Sequence, residues 1–256
     1  MTGRELEGQR ALVTGSARGI GRAIALALGS AGAAVMINAR TARDEAEQTA
    51  ADVRATGARA AVMLADVATP DGAAALVSAT VDALGGLDIL VNNASVRREV
   101  DFADLDFVQW REILGITLDG AYLCSHAALP HLVDAGARSA AAIVNIGGLS
   151  AHTGAPRRAH VLAAKAGLVG LTRGLAYDLA ASGVTVNCVA PGIIDTVRLA
   201  SSTSGGAPAH HAAHSTLVNR RGRPEEVAAL VRFLCGPDGR YITGQTLHVN
   251  GGAYLG

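Results

Sequence analysis

Two periodicities alternate along this chain, and that alternation constrains the fold more than any other feature. Short apolar runs rich in β-branched residues are separated by Ala-rich amphipathic stretches. The runs AVMIN and DILVN are continuously apolar, as expected of strands buried on both faces. Strands spaced by helical stretches connect through right-handed crossovers and lie parallel, with helices covering both faces of the sheet. Seven strands are predicted, over 10–14, 33–38, 60–65, 88–92, 142–146, 184–189 and 246–249. Helices are predicted over 21–29, 44–56, 71–84, 107–134 and 158–181.

The length of 256 residues suits one α/β domain, 1–256, with a sizeable core. Aromatics are few (three Phe, four Tyr, one Trp), so Ala, Val, Leu and Ile must fill that core. A formal net charge of zero argues against a nucleic-acid or acidic-membrane partner. Cys124, Cys188 and Cys235 lack metal-like spacing and read as reduced thiols, which points to a cytoplasmic protein. The opening MTGRELEGQR lacks the apolar run of a signal peptide, and no apolar stretch is long enough to span a membrane. Residues 196–219, rich in small residues, Gly and His, break the alternation. They read as a mobile substrate lid over the carboxyl edge of the sheet.

Between the first strand and the first helix lies Thr14-Gly15-Ser16-Ala17-Arg18-Gly19-Ile20-Gly21. Glycines let such a turn adopt otherwise strained angles and approach a ligand closely. The helix amino terminus then offers unpaired N–H groups to a pyrophosphate. In this βαβ context the turn predicts a dinucleotide site on a Rossmann-type, doubly wound, parallel seven-stranded sheet. Gly15, Ser16, Arg18, Gly19, Ile20 and Gly21 are the candidate contacts. The second strand ends Asn38-Ala39-Arg40, without the acid that would bind the ribose hydroxyls of NAD(H). Arg40, helped by Arg18, suits a 2′-phosphate, so NADP(H) is the expected cofactor in preference to NAD(H).

Further along come Asp66-Val67, Asn92-Asn93-Ala94, Lys165 and Pro191-Gly192, then GRPEEVA at 222–228 and YITGQTLHVNGG near the end. In this order the motifs resemble the short-chain dehydrogenase/reductase family, in its short single-domain branch, from about residue 8 to residue 252. The resemblance implies that Asp66 holds adenine and that Val67 and Ala94 belong to the cofactor site. It implies that Asn92 steadies the sheet beside the nicotinamide and that Lys165 binds the nicotinamide ribose. Thr196, after Pro191 and Gly192, is the implied carboxamide contact. A homotetramer or homodimer, built through the long helices and the C-terminal strand, is also implied.

The family's usual chemistry uses an Asn–Ser–Tyr–Lys set, and here this chain departs from it. Val161 stands four residues before Lys165, where the Tyr belongs; one helical turn would have put that Tyr on the lysine's face. Gly148 holds the Ser position and Thr117 the Asn position. A positioned acid or base contributes about 10²–10⁴-fold, and Val161 supplies none. Lys165, Ser150, His152 and Thr117 are the candidates to take over catalysis. His160 is turned about 100° from the lysine's face and reads as an interface or surface residue. His210, His211 and His214 lack acidic or Cys partners, so no metal is expected. Arg97, Arg98, Arg157 and Arg158 flank the substrate mouth and read as solvated loop charges before they read as anion binders. The function expected is an NADP(H)-dependent oxidoreductase with a non-standard active site, reducing a small carbonyl or imine. Two alternatives stand beside it: a silent subunit assembled with an active homologue, and a non-redox isomerase, cyclase or lyase reusing the pocket.

Overall fold

The computed structural model of the chain describes residues 3–138, 141–196 and 215–256. Its seven strands are β1 (Arg10–Val13), β2 (Ala34–Ala39), β3 (Ala60–Leu64), β4 (Ile89–Asn92), β5 (Ala142–Ile146), β6 (Thr185–Pro191) and β7 (Thr246–Val249). They form one sheet in the order β3-β2-β1-β4-β5-β6-β7. Every pairing is parallel. The strand order reverses between β1 and β4, and in such sheets the crevice beyond the carboxyl ends at that point is where ligands bind.

Alternation along each strand sends side chains to opposite faces. Ala11, Val13, Val35 and Ile37 pack on one face with α1 (Gly19–Ser30), α2 (Arg43–Ala55) and α8 (Pro224–Cys235). Leu12, Met36, Leu90 and Ile143 pack on the other with α3 (Pro70–Leu84), α5 (Gly120–Gly136) and α7 (Ala159–Leu179). Small residues let these layers close tightly: a Cβ on Gly29 of α1 would sit 2.8 Å from a Val53 methyl on α2.

Three features differ from the sequence expectation. The long helix predicted over 107–134 is α4 (Phe107–Leu114) and α5, joined through a π-helical stretch, Gly115–Asp119. Such stretches mark functional or strained places in helices. Helix α8 was not predicted between the sixth and seventh strands. Its signals were present in GRPEEVA: Pro224 opens the helix, Glu225 and Glu226 fill its first turn, and a Glu226 carboxylate oxygen accepts from the Arg223 N–H at 2.7 Å. A short helix α6, Ser150–Thr153, also follows β5. Most of the predicted lid, 197–214, including His210, His211 and His214, lies outside the described residues. No described helix is long and apolar enough to cross a membrane.

At the amino end of the sheet, the Asp88 carboxylate is 2 % exposed. It accepts from the Arg10 backbone N–H at 2.8 Å, from Arg10 Nη2 at 2.7 Å and from Arg138 Nη2 at 3.1 Å. Removing the carboxylate leaves the Arg10 N–H and the part-buried Arg10 guanidinium without their acceptor. Asp88→Ala is therefore expected to lower stability by about 2 kcal/mol. The check is a urea titration, in which the midpoint falls and the slope stays the same.

Candidate cofactor and active site

The glycine turn is shaped for close approach. Gly15 and Gly19 adopt φ of 61° and 58°, in the region that glycine occupies freely. A Cβ on Gly15 would meet the Ala94 Cα at 2.9 Å, and one on Gly21 would meet the Gly15 carbonyl oxygen at 2.5 Å. Helix α1 starts with no side chain capping its free N–H groups and no acid in its first turn, so that end stays electropositive.

Two asparagines fix this turn. The Asn38 Oδ1 accepts from the Gly15 N–H at 3.1 Å, while its Nδ2 donates to the Met63 carbonyl at 3.2 Å. The Asn93 Nδ2 donates to the carbonyls of Thr14 and Gly15, each at 2.9 Å. Neither asparagine was singled out from the sequence. The signal was there, in polar residues ending otherwise apolar strands, yet only contacts between distant strands show what each one holds.

A cleft of about 330 Å³ opens over the turn. Gly15, Arg18, Gly19, Ile20 and Gly21 line it from the β1–α1 side. Arg40, Asp66, Val67, Ala94 and Thr196 line it from the others. Arg40 and Asp66 face one another, with Arg40 Nη1 4.0 Å from the Asp66 carboxylate, and both remain well exposed. Arg18 pairs with Glu45 at 3.1 Å across the turn. Ser16 is placed differently from the expected contact. It is fully buried, donates to the Val13 carbonyl at 2.7 Å and accepts from the Asn38 N–H, so its hydroxyl serves the turn and not the cleft.

A smaller cavity, about 70 Å³, continues from the cleft past Ile20 and Asn93. Lys165, Ser150, Pro191 and Gly192 line it, together with Gly148 and Val161. Lys165 is 7 % exposed and its Nζ donates to the Ile146 carbonyl at 2.5 Å. Burial, aided by Arg97 and Arg158, pulls its pKa down to about 7. Val161 is buried against Ile113 and Ala164 on α4 and α7. A Cβ on Gly148 would meet nothing within 4 Å.

The remaining catalytic candidates, Thr117 and His152, lie apart from this cavity. Thr117 sits in the π-helical stretch, 4 % exposed, and lines neither space. Asn92 lies beneath, donating to Asn145 Oδ1 at 2.9 Å and to Ser125 Oγ at 3.1 Å, in a buried polar thread across β4 and β5. His152 stacks edge-on against His248, ring centroids 4.7 Å apart, and against Tyr254. Burial, with Arg173 nearby, lowers the His152 pKa. His160 is not a surface residue: it is fully buried, and burial first, then Arg158 and Arg98, lower its pKa. Arg158 is likewise no solvated loop charge, being 5 % exposed and part of the cavity wall. Among the described residues, no group of three or more His, Cys, Asp or Glu side chains is placed to hold a metal.

A parallel sheet with this strand order, a glycine turn at its switch point and a buried lysine beside it define a Rossmann-type α/β protein with a dinucleotide-shaped cleft. Residues 15–254 match the family model described as enoyl-(acyl carrier protein) reductase. A 3-oxoacyl-[acyl-carrier-protein] reductase of Synechocystis sp. is 37 % identical over 251 residues, 98 % of each chain. The corresponding reductase of Staphylococcus aureus is 36 % identical over 96 % of this chain and 98 % of its own. Among solved structures, a short-chain dehydrogenase of Burkholderia cenocepacia in complex with NADP is 39 % identical, with a TM-score of 0.87 over 97 % of this chain and 99 % of that one. A dehydrogenase/reductase of Sinorhizobium meliloti is 34 % identical, with a TM-score of 0.90 over 99 % and 98 %. The chain belongs to the short-chain dehydrogenase/reductase family.

The depressed lysine makes stability depend on pH. Unfolded, Lys165 takes the ordinary value of 10.5; folded, it releases its proton near pH 7. Between these values the unfolded chain binds more protons, so this group's contribution becomes more favourable as pH rises from 7 to 10.5. Relative to Lys165→Met, the wild-type protein should therefore gain stability from pH 7 to pH 9. Paired urea titrations at the two pH values check it, and a constant difference would contradict the shift.

Proposed function

We propose that the chain is an NADP(H)-dependent oxidoreductase that reduces a small-molecule C=O or C=N bond through a non-standard active site. The observation that carries this reading is the placement of Lys165. It lies buried in a cavity continuous with the glycine-turn cleft, while Val161 and Gly148 occupy the positions where the family resemblance expects Tyr and Ser.

The cleft fits a dinucleotide. Its glycines leave room that a Cβ would fill, and the uncapped start of α1 suits a pyrophosphate. Arg40 lines the cleft, stays exposed and reaches Asp66 only at 4.0 Å, which leaves its guanidinium able to take a 2′-phosphate. The NADP-bound relative of the same fold supports that choice. Asp66 and Val67 serve the adenine side, Thr196, Pro191 and Gly192 the nicotinamide side, and Lys165 the ribose between them. The bound reduced cofactor supplies a hydride, and this chain must place the acceptor and deliver one proton to its oxygen or nitrogen.

Lys165 is the proton donor in this reading. With a pKa of about 7, it is part ammonium and part amine at neutral pH, the range in which proton transfer works best. Ser150, on the same cavity wall, orients the acceptor atom. Thr117 and His152 act through the elements they pack in, since neither reaches the cavity wall. A substrate that is already a protonated imine or a polarised carbonyl asks least of such a site. The relatives named for reducing a 3-oxoacyl group support carbonyl reduction as the reaction class. The chain works as a homotetramer or homodimer, and the exposed Phe107, Val108 and Tyr122 on α4 and α5 offer a surface to a second copy.

Arg40→Ala tests the cofactor assignment. It should weaken NADPH at least tenfold and NADH less than twofold, in line with losing one charge-assisted contact. Fluorescence titration of each reduced cofactor reads both numbers, and equal losses would contradict the 2′-phosphate role.

A further inference from the structure

Arg18 and Arg40 line the cofactor cleft together with Thr41 and Ala42, the residues that lead from β2 into α2. The two arginines are held in unequal ways. Arg18 Nη1 donates to both oxygens of the Glu45 carboxylate, at 3.1 and 3.3 Å. Arg40 Nη1 lies 4.0 Å from the Asp66 carboxylate, beyond hydrogen-bond distance. The Asp66 Oδ1 turns to its own loop, where it accepts from the Ala68 N–H at 3.0 Å. An anion arriving between β2 and the glycine turn therefore meets Arg40 loosely held and Arg18 already engaged.

The grip on Arg18 is built into the fold. Glu45 stands in the first turn of α2, and Thr49, one turn further along the same face, is fully buried. The Thr49 hydroxyl donates to the Ala17 carbonyl at 2.9 Å, so α2 is fastened to the glycine turn at the residue before Arg18. Arg22 of α1 adds a second tie, to Asp52 of α2 at 2.7 Å. Ala46, Ala50 and Val53 of the same helix pack into the core that α1 also faces. With α1 and α2 locked together in this way, the Glu45 carboxylate stays within reach of Arg18. The field at a helix amino terminus favours an acid in that turn, and Asp44 answers it equally; the pairing with Arg18 belongs to Glu45. Both side chains of the pair are about half exposed, at 51 % and 44 %. An ion pair so placed is weak enough to exchange for an anion of higher charge, such as a phosphate.

We propose that Glu45 is a specificity-determining residue: its carboxylate competes with the 2′-phosphate for Arg18 and so lowers the preference of the site for NADP(H) over NAD(H). To take the phosphate, Arg18 must leave Glu45, and that carboxylate then stands near a second negative charge. A 2′-hydroxyl asks for neither change, so with NAD(H) the pair stays closed. The penalty falls on one cofactor only. Arg40 sets the direction of the preference, and Glu45 limits its size. The proposal rests on the reading above, in which the 2′-phosphate lies between these arginines.

The test is a fluorescence titration of the full chain with NADPH and with NADH, in the wild type, Glu45→Gln, Arg18→Gln and the double variant. Both positions are exposed, so neither substitution touches the core. Glu45→Gln should tighten NADPH about threefold, within what an exposed ion pair supplies, and change NADH less than about 1.5-fold. Added NaCl should shrink the gain. Arg18→Gln should weaken NADPH more than NADH, and in its background the gain from Glu45→Gln should fall below about 1.5-fold. An unchanged NADPH affinity in Glu45→Gln, an equal gain for both cofactors, or a gain undiminished without Arg18 would each overturn the proposal. Failure of the reading beneath it looks different: Arg18→Gln and Arg40→Ala would then each weaken NADPH and NADH equally. If both arginine variants discriminate between the cofactors and Glu45→Gln does not, the 2′-phosphate assignment stands and the role of Glu45 falls.

Discussion

The approach of the β1–α1 turn to the end of β4 is the contact on which the rest of the structure depends. Gly15 lies so near Ala94 that a side chain on it would collide with backbone. That closeness is possible only because the residue has no Cβ and takes a positive φ. Asn93 holds the turn from the β4 side and Asn38 from the β2 side, so three strands fix one loop. The turn in turn aims α1 at the crevice where the strand order reverses. A loop held this way needs no ligand to be shaped for one, which lowers the ordering cost of binding.

Beyond that point the molecule separates two tasks that the family resemblance would join. The glycines and the uncapped helix end that would receive a cofactor are present. Where the resemblance expects a proton-supplying set, after β5 and on α7, the chain presents Gly148, Val161 and the buried Lys165. Burial and the cations Arg97 and Arg158 act on Lys165 in the same direction. Both disfavour its ammonium form, one by excluding water and the other by repulsion. The result is a lysine that titrates near neutrality, as the proposed role in proton transfer requires.

The sheet and the dinucleotide turn were legible in the sequence because both rest on local patterns. Continuous apolar runs mark strands buried on both faces, and glycines between a strand and a helix mark the turn. Helix α8 is announced only by Pro224, Glu225 and Glu226, and the irregular segment that precedes it interrupts the strand–helix alternation there. The π-helical stretch around Thr117 leaves no signature in hydrophobic spacing, since it shifts the register of one turn only. Ser16, His160 and Arg158 were misplaced for a common reason. Whether a polar residue faces a cleft, a core or water depends on neighbours far away in sequence. Ser16 is claimed by Val13 and Asn38, and His160 and Arg158 are enclosed where α7 begins, beside Lys165's cavity. Asn38 and Asn93 show the converse, ordinary in sequence and central in space.

The central claim is that this chain carries out hydride transfer without a tyrosine. The most direct measurement follows deuterium from NADPH labelled at nicotinamide C4, on the face that transfers, into a product formed by the purified protein. The account predicts deuterium at the former carbonyl or imine carbon, a primary isotope effect under single-turnover conditions, and a rate that falls sharply in Lys165→Ala. A product free of deuterium, or one that forms at the same rate in Lys165→Ala, would contradict it.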